Sequence, residues 1–416
     1  MSKPTIIFIG TRRTPLEVNA AVLGAHAAGY KVALLGPTPP AFCREAISDF
    51  EQVDIFDRPA ALKAGLTLAH RTKASGVVTW TDTGVELAAA LAQRCGWPGV
   101  PPEAAHKARN KHSMRSALLE HPELIPRFRK VDDLADLEAA AAEIGTPAVL
   151  KPAGGSGSRS IFQIDAETDL AATFRRATLL ATRELSPVFG DYEGQFVYEE
   201  RLGGSEHSVE GFVHDGRTMI AGITDKWVTE PFYVEYEQVH PTALSPQAQD
   251  SVRHLARSVT RAIGLDWCSF HLECRVLPDG SAKLLEIAAR PGGGYITSHL
   301  IPLSTGIPFP ANLVRVATGQ APDMEKRSDL FAASRGVLSP VEGQFHGFDG
   351  LYDVLELFGL EHFVHERELG GTIVLPPGET LSAVLGYAIT RSVDYQDARD
   401  VAARAIDLSR PRITTT

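Results

Sequence analysis

The chain has 416 residues, with 41 Lys+Arg against 51 Asp+Glu, a net charge of −10. At roughly 150 residues per domain this is enough for about three domains, and a 44% hydrophobic content fills their cores. The acidic balance argues against a nucleic-acid backbone or an anionic membrane as the main partner, and no stretch approaches the ~18 apolar residues of a membrane span.

The chain opens MSKPTIIFIGT, whose four apolar residues before Gly10 are too few for a signal-peptide core, so a cytoplasmic protein is expected. Residues 4–10 read as a fully buried parallel strand. Val18, Ala21, Val22 and Ala25 then recur at helical spacing, Gly29 stands where a helix ends, and Lys31–Leu35 reads as a second strand, which makes a βαβ unit. Gly76–Trp80 looks like a later strand of the same sheet, followed by a helix over Val85–Gln93. The first turn, Gly10-Thr11-Arg12-Arg13-Thr14-Pro15, lacks the second glycine of a dinucleotide site. Arg12 and Arg13 at a helix start are either a solvated pair or a site for an anion such as a substrate carboxylate.

Pro98, Pro101 and Pro102 mark a linker, and a helix with Asn110-Lys111 inside it follows. A small α+β unit is predicted next: a strand over Leu124–Val131, a helix over Asp132–Ile144, and short strands at Pro147–Pro152 and Ile161–Ile164. Residues 195–300 are strand-rich, a helix spans Ala311–Thr318, and short strands with Gly/Pro turns complete the chain. Cys43, Cys95, Cys268 and Cys274 form no CxxC and read as buried, reduced thiols.

Three segments carry chemistry. In Lys151-Pro152-Ala153-Gly154-Gly155-Ser156-Gly157-Ser158-Arg159, glycines let backbone N–H groups approach a phosphate chain, and the hydroxyls and cations add donors. In Asp266–Arg290, two apolar runs flank Pro278-Asp279-Gly280-Ser281, a hairpin signal. With Asp279-Gly280 as a two-residue turn, Ser281 faces Pro278, Lys283 faces Val276 and Glu273 lands opposite Glu286. Two carboxylates facing each other in an apolar stretch call for a cation, and oxygen-only ligands favour Mg²⁺ or Mn²⁺ over zinc. His271 shares their face, as a ligand, a substrate contact or a core histidine. Arg290 and Gly292-Gly293-Gly294 follow, a cation and bare backbone suited to developing negative charge. The third segment, Val197–Gly211, reads as strand, tight turn, strand, with Glu199, Glu200 and Glu206 suited to ribose and adenine contacts.

Taken in order, Asn110-Lys111, Lys151-Pro152 with its Gly/Ser loop, Glu199…Glu206, Glu273…Glu286 and Arg290-Pro-Gly-Gly resemble the ATP-grasp carboxylate–amine ligases over roughly residues 1–310. The EIAARPGGG ending and the SVEGF strand are most similar to the L-amino acid ligases that make dipeptides, and GGTIVLPPGETL resembles that group's extra domain. The resemblance implies a multidomain α/β and α+β protein: a doubly wound parallel-sheet domain (1–105), a linker helix and lid (106–190), an antiparallel-sheet catalytic subdomain (191–310) and a C-terminal α+β extension (311–416).

The same resemblance implies ATP and Mg²⁺ (two ions, Mn²⁺ in their stead) as cofactors. Lys111 and Lys151 contact phosphates under a lid carrying Ser156 and Ser158. Glu199, Glu200 and the backbone near Leu202 take adenine, Glu206 the ribose, and Glu273 and Glu286 the metal. Arg290, with His271, Gly293 and Gly294, serves the reacting centre. Ala288 stands where many of these enzymes carry Asn, so protein ligands are fewer. Glu235 is expected to meet a substrate ammonium, with Tyr233 and His240 shaping a pocket. The expected activity is ADP-forming ligation of an amino acid carboxylate to the amine of a second amino acid through an acyl phosphate, in a homodimer. A bicarbonate-using carboxylase of biotin or purine type and an inactive nucleotide-binding regulator are the alternatives.

Overall fold

The computed structural model describes residues 3–39, 42–376, 379 and 381–415, so Met1 and Ser2 of the opening segment and Pro377, Gly378 and Thr380 of the GGTIVLPPGETL segment lie outside the described residues. Strand β1 (Thr5–Ile9) is buried along its whole length, as an unbroken β-branched and apolar run requires when both faces of a sheet are covered. Helix α1 (Pro15–Ala27) starts where the Thr14 hydroxyl accepts from the Glu17 N–H at 3.4 Å and Pro15 supplies a preset φ. It buries Val18, Ala21, Val22 and Ala25, and Gly29 ends it in the left-handed region at φ +91°. β2 (Lys31–Gly36), β3 (Ile47–Gln52), α2 (Arg58–Thr72), β4 (Ala74–Thr79) and α3 (Val85–Cys95) complete a parallel sheet of order β3-β2-β1-β4. The chain winds outward through β2 and β3, then returns to the other side of β1. The crevice of such a sheet opens where the order reverses, at the carboxyl ends of β1 and β4. Those ends carry the Arg12-Arg13 loop and the Thr81–Thr83 loop.

The expected helix around Asn110 is two helices, α4 (Pro102–Arg109) and α5 (Lys111–Ser116). Asn110 itself is extended, and its side chain accepts from the Ser113 N–H at 3.0 Å, so it caps the second helix and breaks the first. The break aims Lys111, the first residue of α5, at the lid. That lid is a four-stranded antiparallel sheet, order β5-β8-β6-β7, from β5 (Phe128–Val131), β6 (Ala148–Pro152), β7 (Phe162–Ile164) and β8 (Phe196–Glu200), backed by α6 (Leu134–Ile144) and α7 (Leu170–Leu180). β5 starts four residues later than expected, because Pro122–Leu124 is a 3₁₀ turn.

The expected strand–turn–strand over Val197–Gly211 is not a hairpin. β8 belongs to the lid and β9 (Ser205–His214) to the large sheet, so Arg201–Gly204 connects two bodies. The large sheet continues through β10 (Arg217–Val228), β11 (Glu235–His240), α8 (Pro246–Ile263), β12 (Cys268–Val276) and β13 (Ala282–Ala288). Beyond α9 (Ile301–Thr305) and α10 (Phe309–Ala317) come β14 (Phe331–Leu338), β15 (Gly343–Asp349), α11 (Leu351–Leu355), β16 (Leu360–His365), β17 (Thr372–Ile373), β18 (Val384–Ser392), α12 (Tyr395–Leu408) and β19 (Arg410–Thr414). β14, β18 and β16 extend the same sheet, whose order is β13-β12-β9-β10-β11-β14-β18-β16. The catalytic and C-terminal regions thus share one backbone ladder, and β8 of the lid lies beyond residue 190.

Period two sorts the large sheet into two faces. Phe270, Leu272, Cys274 and Val276 of β12 pack under α8, whose Val252, Leu255, Val259 and Ile263 are fully buried. His271, Glu273 and Arg275 are left on the other face, toward the lid and the parallel sheet. Cys268 and Cys274 are buried free thiols as expected, whereas Cys43 and Cys95 are only half-buried, one in a loop and one at the end of α3.

Candidate functional site

The three sheets converge on one cleft of about 490 Å³. Its floor is set by strand register. Glu206 on β9 pairs with Lys226 on β10 and with Arg275 on β12. Two residues on, Ser208 pairs with Glu273, and Glu273 with Glu286 on β13. One step further, Glu210 pairs with His271. Each row puts charged groups side by side on a buried surface, so each charge must find a partner.

The Glu273–Glu286 pairing is as expected, but by a different route. Leu277 N–H donates to the Ser281 carbonyl and Gly280, at φ +82°, closes the turn, so the loop is one residue longer than two. Near the turn the register is therefore shifted, and Lys283 faces Arg275 rather than Val276. A bulge between Glu273 and Cys274 then absorbs Leu285 and restores the pairing. The bulge also turns Leu285 and Glu286 to the cleft together and leaves the Leu285 carbonyl to accept from Arg115 Nη2 at 2.5 Å.

Glu273 holds Lys226 in a short contact and lies 3.2 Å from His271 Nε2. Burial opposes its ionisation, yet Lys226 and His271 hold its carboxyl well below the usual carboxylate range. Lys226 also lies 2.8 Å from Glu235 and 3.7 Å from Glu206. One ammonium serving three carboxylates leaves a surplus of negative charge, and burial pushes the Glu206 carboxyl up despite Lys226 and Arg275. His271 gives its other nitrogen to Glu210 at 2.6 Å. Burial opposes the imidazolium, but the Glu210 and Glu273 hydrogen bonds raise its pKa to about 9. A Cβ on Gly292 would come within 2.9 Å of both Glu210 and His271, so the Gly-rich loop lies directly on this pair.

Lys111 Nζ spans the cleft, 2.9 Å from Glu286 Oε2 and 2.7 Å from the Gly155 carbonyl of the lid loop. Lys151, at the end of β6, lies 2.7 Å from Glu199 Oε2. The other Glu199 oxygen accepts from Arg115 Nε at 3.0 Å, and Arg115 is wholly buried. Glu199, expected on the adenine amine, thus has both oxygens committed and holds Lys151 instead. Glu200, beside it, reaches the cleft rim with Lys283 at 3.1 Å and Arg127 at 2.9 Å, next to Leu202. Arg290 is gripped by Asp82 of the β4 loop, Nε at 3.2 Å and Nη2 at 3.0 Å, which raises its pKa against the cost of burial. Gly293 and Gly294 line the cleft beyond it.

In the lid loop, Ser156 and Ser158 line the cleft, and Ser158 Oγ donates to the Tyr233 carbonyl at 3.0 Å. Tyr233 and Glu235 face the cleft as expected, but His240 does not. Wholly buried, it places Nδ1 2.7 Å from Ser304 Oγ, and its Nε2 has no partner among the described residues. Along β11 successive side chains alternate faces, so His240, at odd spacing from Glu235, lies on the opposite side. Burial beside α9 lowers its pKa to about 3. Asp82, Arg115, Lys226, Glu366 and Tyr387 complete the site and went unassigned in the sequence. Arg115 and Glu366 stand among polar and charged neighbours, and nothing local in the sequence marks any of the five as a site residue.

Glu273 and Glu286 face each other with carboxylate oxygens, and the neighbouring Ser208 Oγ is buried without a partner among the described residues. No group of three His, Cys, Asp or Glu side chains in metal-binding arrangement occurs among the described residues. The set fits a hard divalent ion that takes its remaining ligands from water and phosphate oxygens, as Mg²⁺ does.

A parallel-sheet domain, a small antiparallel sheet and a carboxylate-lined large sheet around one cleft make up an ATP-grasp fold. Residues 144–299 match the ATP-grasp domain family. The chain is 26% identical over 270 residues to the alanine–anticapsin ligase of Bacillus subtilis, covering 60% of this chain and 57% of that protein. It is 26% identical over 315 residues to human carnosine synthase 1, covering 72% of this chain and 38% of that protein. It thus spans a little over half the length of the first of these relatives and less of the second. Among solved structures, the L-amino acid ligase of Bacillus licheniformis superposes with a TM-score of 0.85 at 21% identity, over 100% of both chains. The ATP-grasp family match covers residues 144–299, and the likeness in fold to that ligase covers the whole chain. No helix among the described residues is long and apolar enough to cross a membrane.

Proposed function

We propose that this protein uses ATP to join the carboxylate of one amino acid to the amine of another, releasing ADP and phosphate. The observation that carries the reading is Glu273 facing Glu286, with Lys111 running from Glu286 to the lid loop. A carboxylate is a poor acyl donor. Its oxygen attacks the γ-phosphorus, ADP leaves, and the acyl phosphate then loses phosphate to an attacking amine nitrogen. Catalysis of this kind is positioning and charge neutralisation. Lys111, Lys151 and Arg290 bear on the phosphoryl oxygens, and Glu199 with Arg115 holds Lys151 in line. Glu200 and the Leu202 backbone take adenine, Glu206 the ribose, and Glu235 and Tyr233 the second substrate. Glu273 and Glu286 would hold Mg²⁺, which when bound would neutralise further charge on the phosphate chain. The unit over residues 106–190 with β8 acts as the lid, because an acyl phosphate hydrolyses unless water is excluded.

The test is a screen of amino acid pairs for ADP and phosphate release by the purified protein with Mg²⁺ and ATP, with mass spectrometry of the product. Release that requires both a carboxylate and an amine, with a product one water lighter than their sum, is expected. Release driven by bicarbonate in place of an amino acid pair would sink the reading.

A further inference from the structure

The sequence left Arg12 and Arg13 open between a solvated pair and an anion site, and the structure separates them. Arg12 is consumed: its Nη2 donates to the Pro291 carbonyl at 2.6 Å and the Gly292 carbonyl at 2.9 Å, which fixes the α1 loop against the Arg290–Gly294 loop. Arg13 is not. Its side chain is 66% exposed, and among the described residues its ion pair is with Glu366 at 3.5 Å. That carboxylate already accepts from the Tyr295 hydroxyl at 2.5 Å.

A second loosely held guanidinium faces the same cleft from the lid. Arg159 donates to the Ser156 carbonyl at 3.3 Å, lies against Gly157, and is half-buried. Burial lowers its pKa, Glu379 offsets this, and the like charge of Arg13 lowers it further, so the two cations feel each other. The remaining cations near the reacting centre, Lys111, Lys151, Lys226 and Arg290, each hold a carboxylate within 3.0 Å. Arg275 holds Glu206 at 2.9 Å, and Arg201 is tied to Gln163 at 3.0 Å beside the Glu200–Leu202 rim. Arg13 from the β1–α1 loop and Arg159 from the lid loop line the same cleft, and two planar forks with spare N–H donors suit a shared carboxylate.

We propose that Arg13 and Arg159 together bind the carboxylate of the amine substrate, so that the acceptor is an amino acid and not a simple amine. This rests on the ligase reading, in which the donor's own carboxylate is spent on the γ-phosphoryl group beside Arg290. Leu381, Val384 and Tyr387 of the C-terminal region line the cleft beside Arg13 and Arg159 and offer an apolar wall to the acceptor's side chain.

The test compares L-amino acids with their α-amides as acceptors, in wild type and in Arg13→Gln and Arg159→Gln. In wild type the amide is expected to raise the acceptor KM by at least about tenfold. In either variant acid and amide should converge, with the KM for ATP within about twofold of wild type, and Arg13→Lys should restore part of the preference. An amide used as well as the acid by wild type, or variants that weaken both equally, would overturn the proposal. Varying the donor between one with and one without a side-chain carboxylate, at a fixed acceptor, assigns the site. If the donor's second carboxylate, not the acceptor's, senses the arginines, the proposal falls. A calorimetric arm does not need turnover: the same acids and amides are titrated into full-length protein holding Mg²⁺ and a non-hydrolysable ATP analogue. Equal Kd for acid and amide there overturns the anion site, whereas acid-selective binding without any ADP release would sink the ligase reading and leave the site standing.

Discussion

The two ends of the cleft are built by different means. At the end proposed to take the phosphates, charges sit in rows dictated by strand register, Glu206 with Arg275 and Glu273 with Glu286, and nearly every one is buried and paired. At the other end, Arg13 comes from a β1–α1 loop, Arg159 from the lid, and Glu366 and Tyr387 from the C-terminal region, and the Arg13–Glu366 pair is longer, 3.5 Å, with an exposed guanidinium. A ladder can specify a rigid site for a ligand part that never varies. A meeting of loops leaves room for a part that does, and its unpaired donors are available to the ligand.

The largest effect tests the rigid end. Glu286→Gln removes one carboxylate of the pair and the partner of Lys111, and ADP release should fall by about 10²–10³-fold. The side chain is 24% exposed, so the thermal midpoint should barely move. Unchanged turnover would mean that the paired carboxylates do not define this end. Arg115→Met comes next. Arg115 is wholly buried and shares Glu199 with Lys151. Its removal leaves a buried charge half compensated and strips the bulge carbonyl of Leu285 of its donor, a loss of about 3 kcal/mol. Denaturant unfolding measures it, and a second change, Glu199→Gln, should recover part of the loss. A loss confined to kcat with unchanged unfolding would show that Arg115 acts on substrate and not on the fold.

The same division explains what could be read from the chain. The β1–α1–β2 unit follows from an apolar run, a helical repeat and Gly29, all local. The Glu273–Glu286 pairing follows from parity alone, and it survived only because the longer turn and the Leu285 bulge shift the register in opposite directions. The parallel-sheet crevice was half legible: its loop at Arg12-Arg13 was visible, but Asp82, which meets Arg290 from 208 residues away, was not. Val197–Gly211 looked like a hairpin because strand and turn signals carry no information about which sheet a strand joins. Glu366 and Tyr387 reach the cleft only because β16 and β18 extend the large sheet, a long-range pairing with no sequence period to announce it.

His240 sharpens the comparison, since it was expected at the variable end and lies in the core. Its pKa is lowered to about 3 by burial, whereas an unfolded histidine titrates near 6.5. Between those values the unfolded chain binds a proton that the native histidine refuses. Stability is therefore full above about pH 6.5 and falls as pH drops toward 3, by up to about 1.4 kcal/mol per pH unit. His299, lowered to about 4 by burial and the neighbouring His362, adds to the slope. Measuring the unfolding free energy between pH 7 and 5, His240→Gln should flatten the dependence and leave the KM of both substrates unchanged. A raised KM with an unaltered slope would return His240 to the cleft.

The smallest effect lies where the two ends meet. Ser158 sits in the left-handed region at φ 55° and donates to the Tyr233 carbonyl, while the Tyr233 hydroxyl accepts from Gln163 Nε2 at 2.8 Å. These contacts tie the lid loop to the segment leading into β11, so they count only in the closed form. Ser158→Ala keeps the backbone strain and loses one hydrogen bond of about 1 kcal/mol, which should raise the KM for ATP and for the acceptor together by about fivefold. Ser158→Gly loses the same bond but relieves a left-handed penalty of similar size, so it should fall closer to wild type. If the two variants move only the acceptor KM, the loop belongs to the variable end alone. If they move only the KM for ATP, it belongs to the phosphate end, and closure is not shared between them.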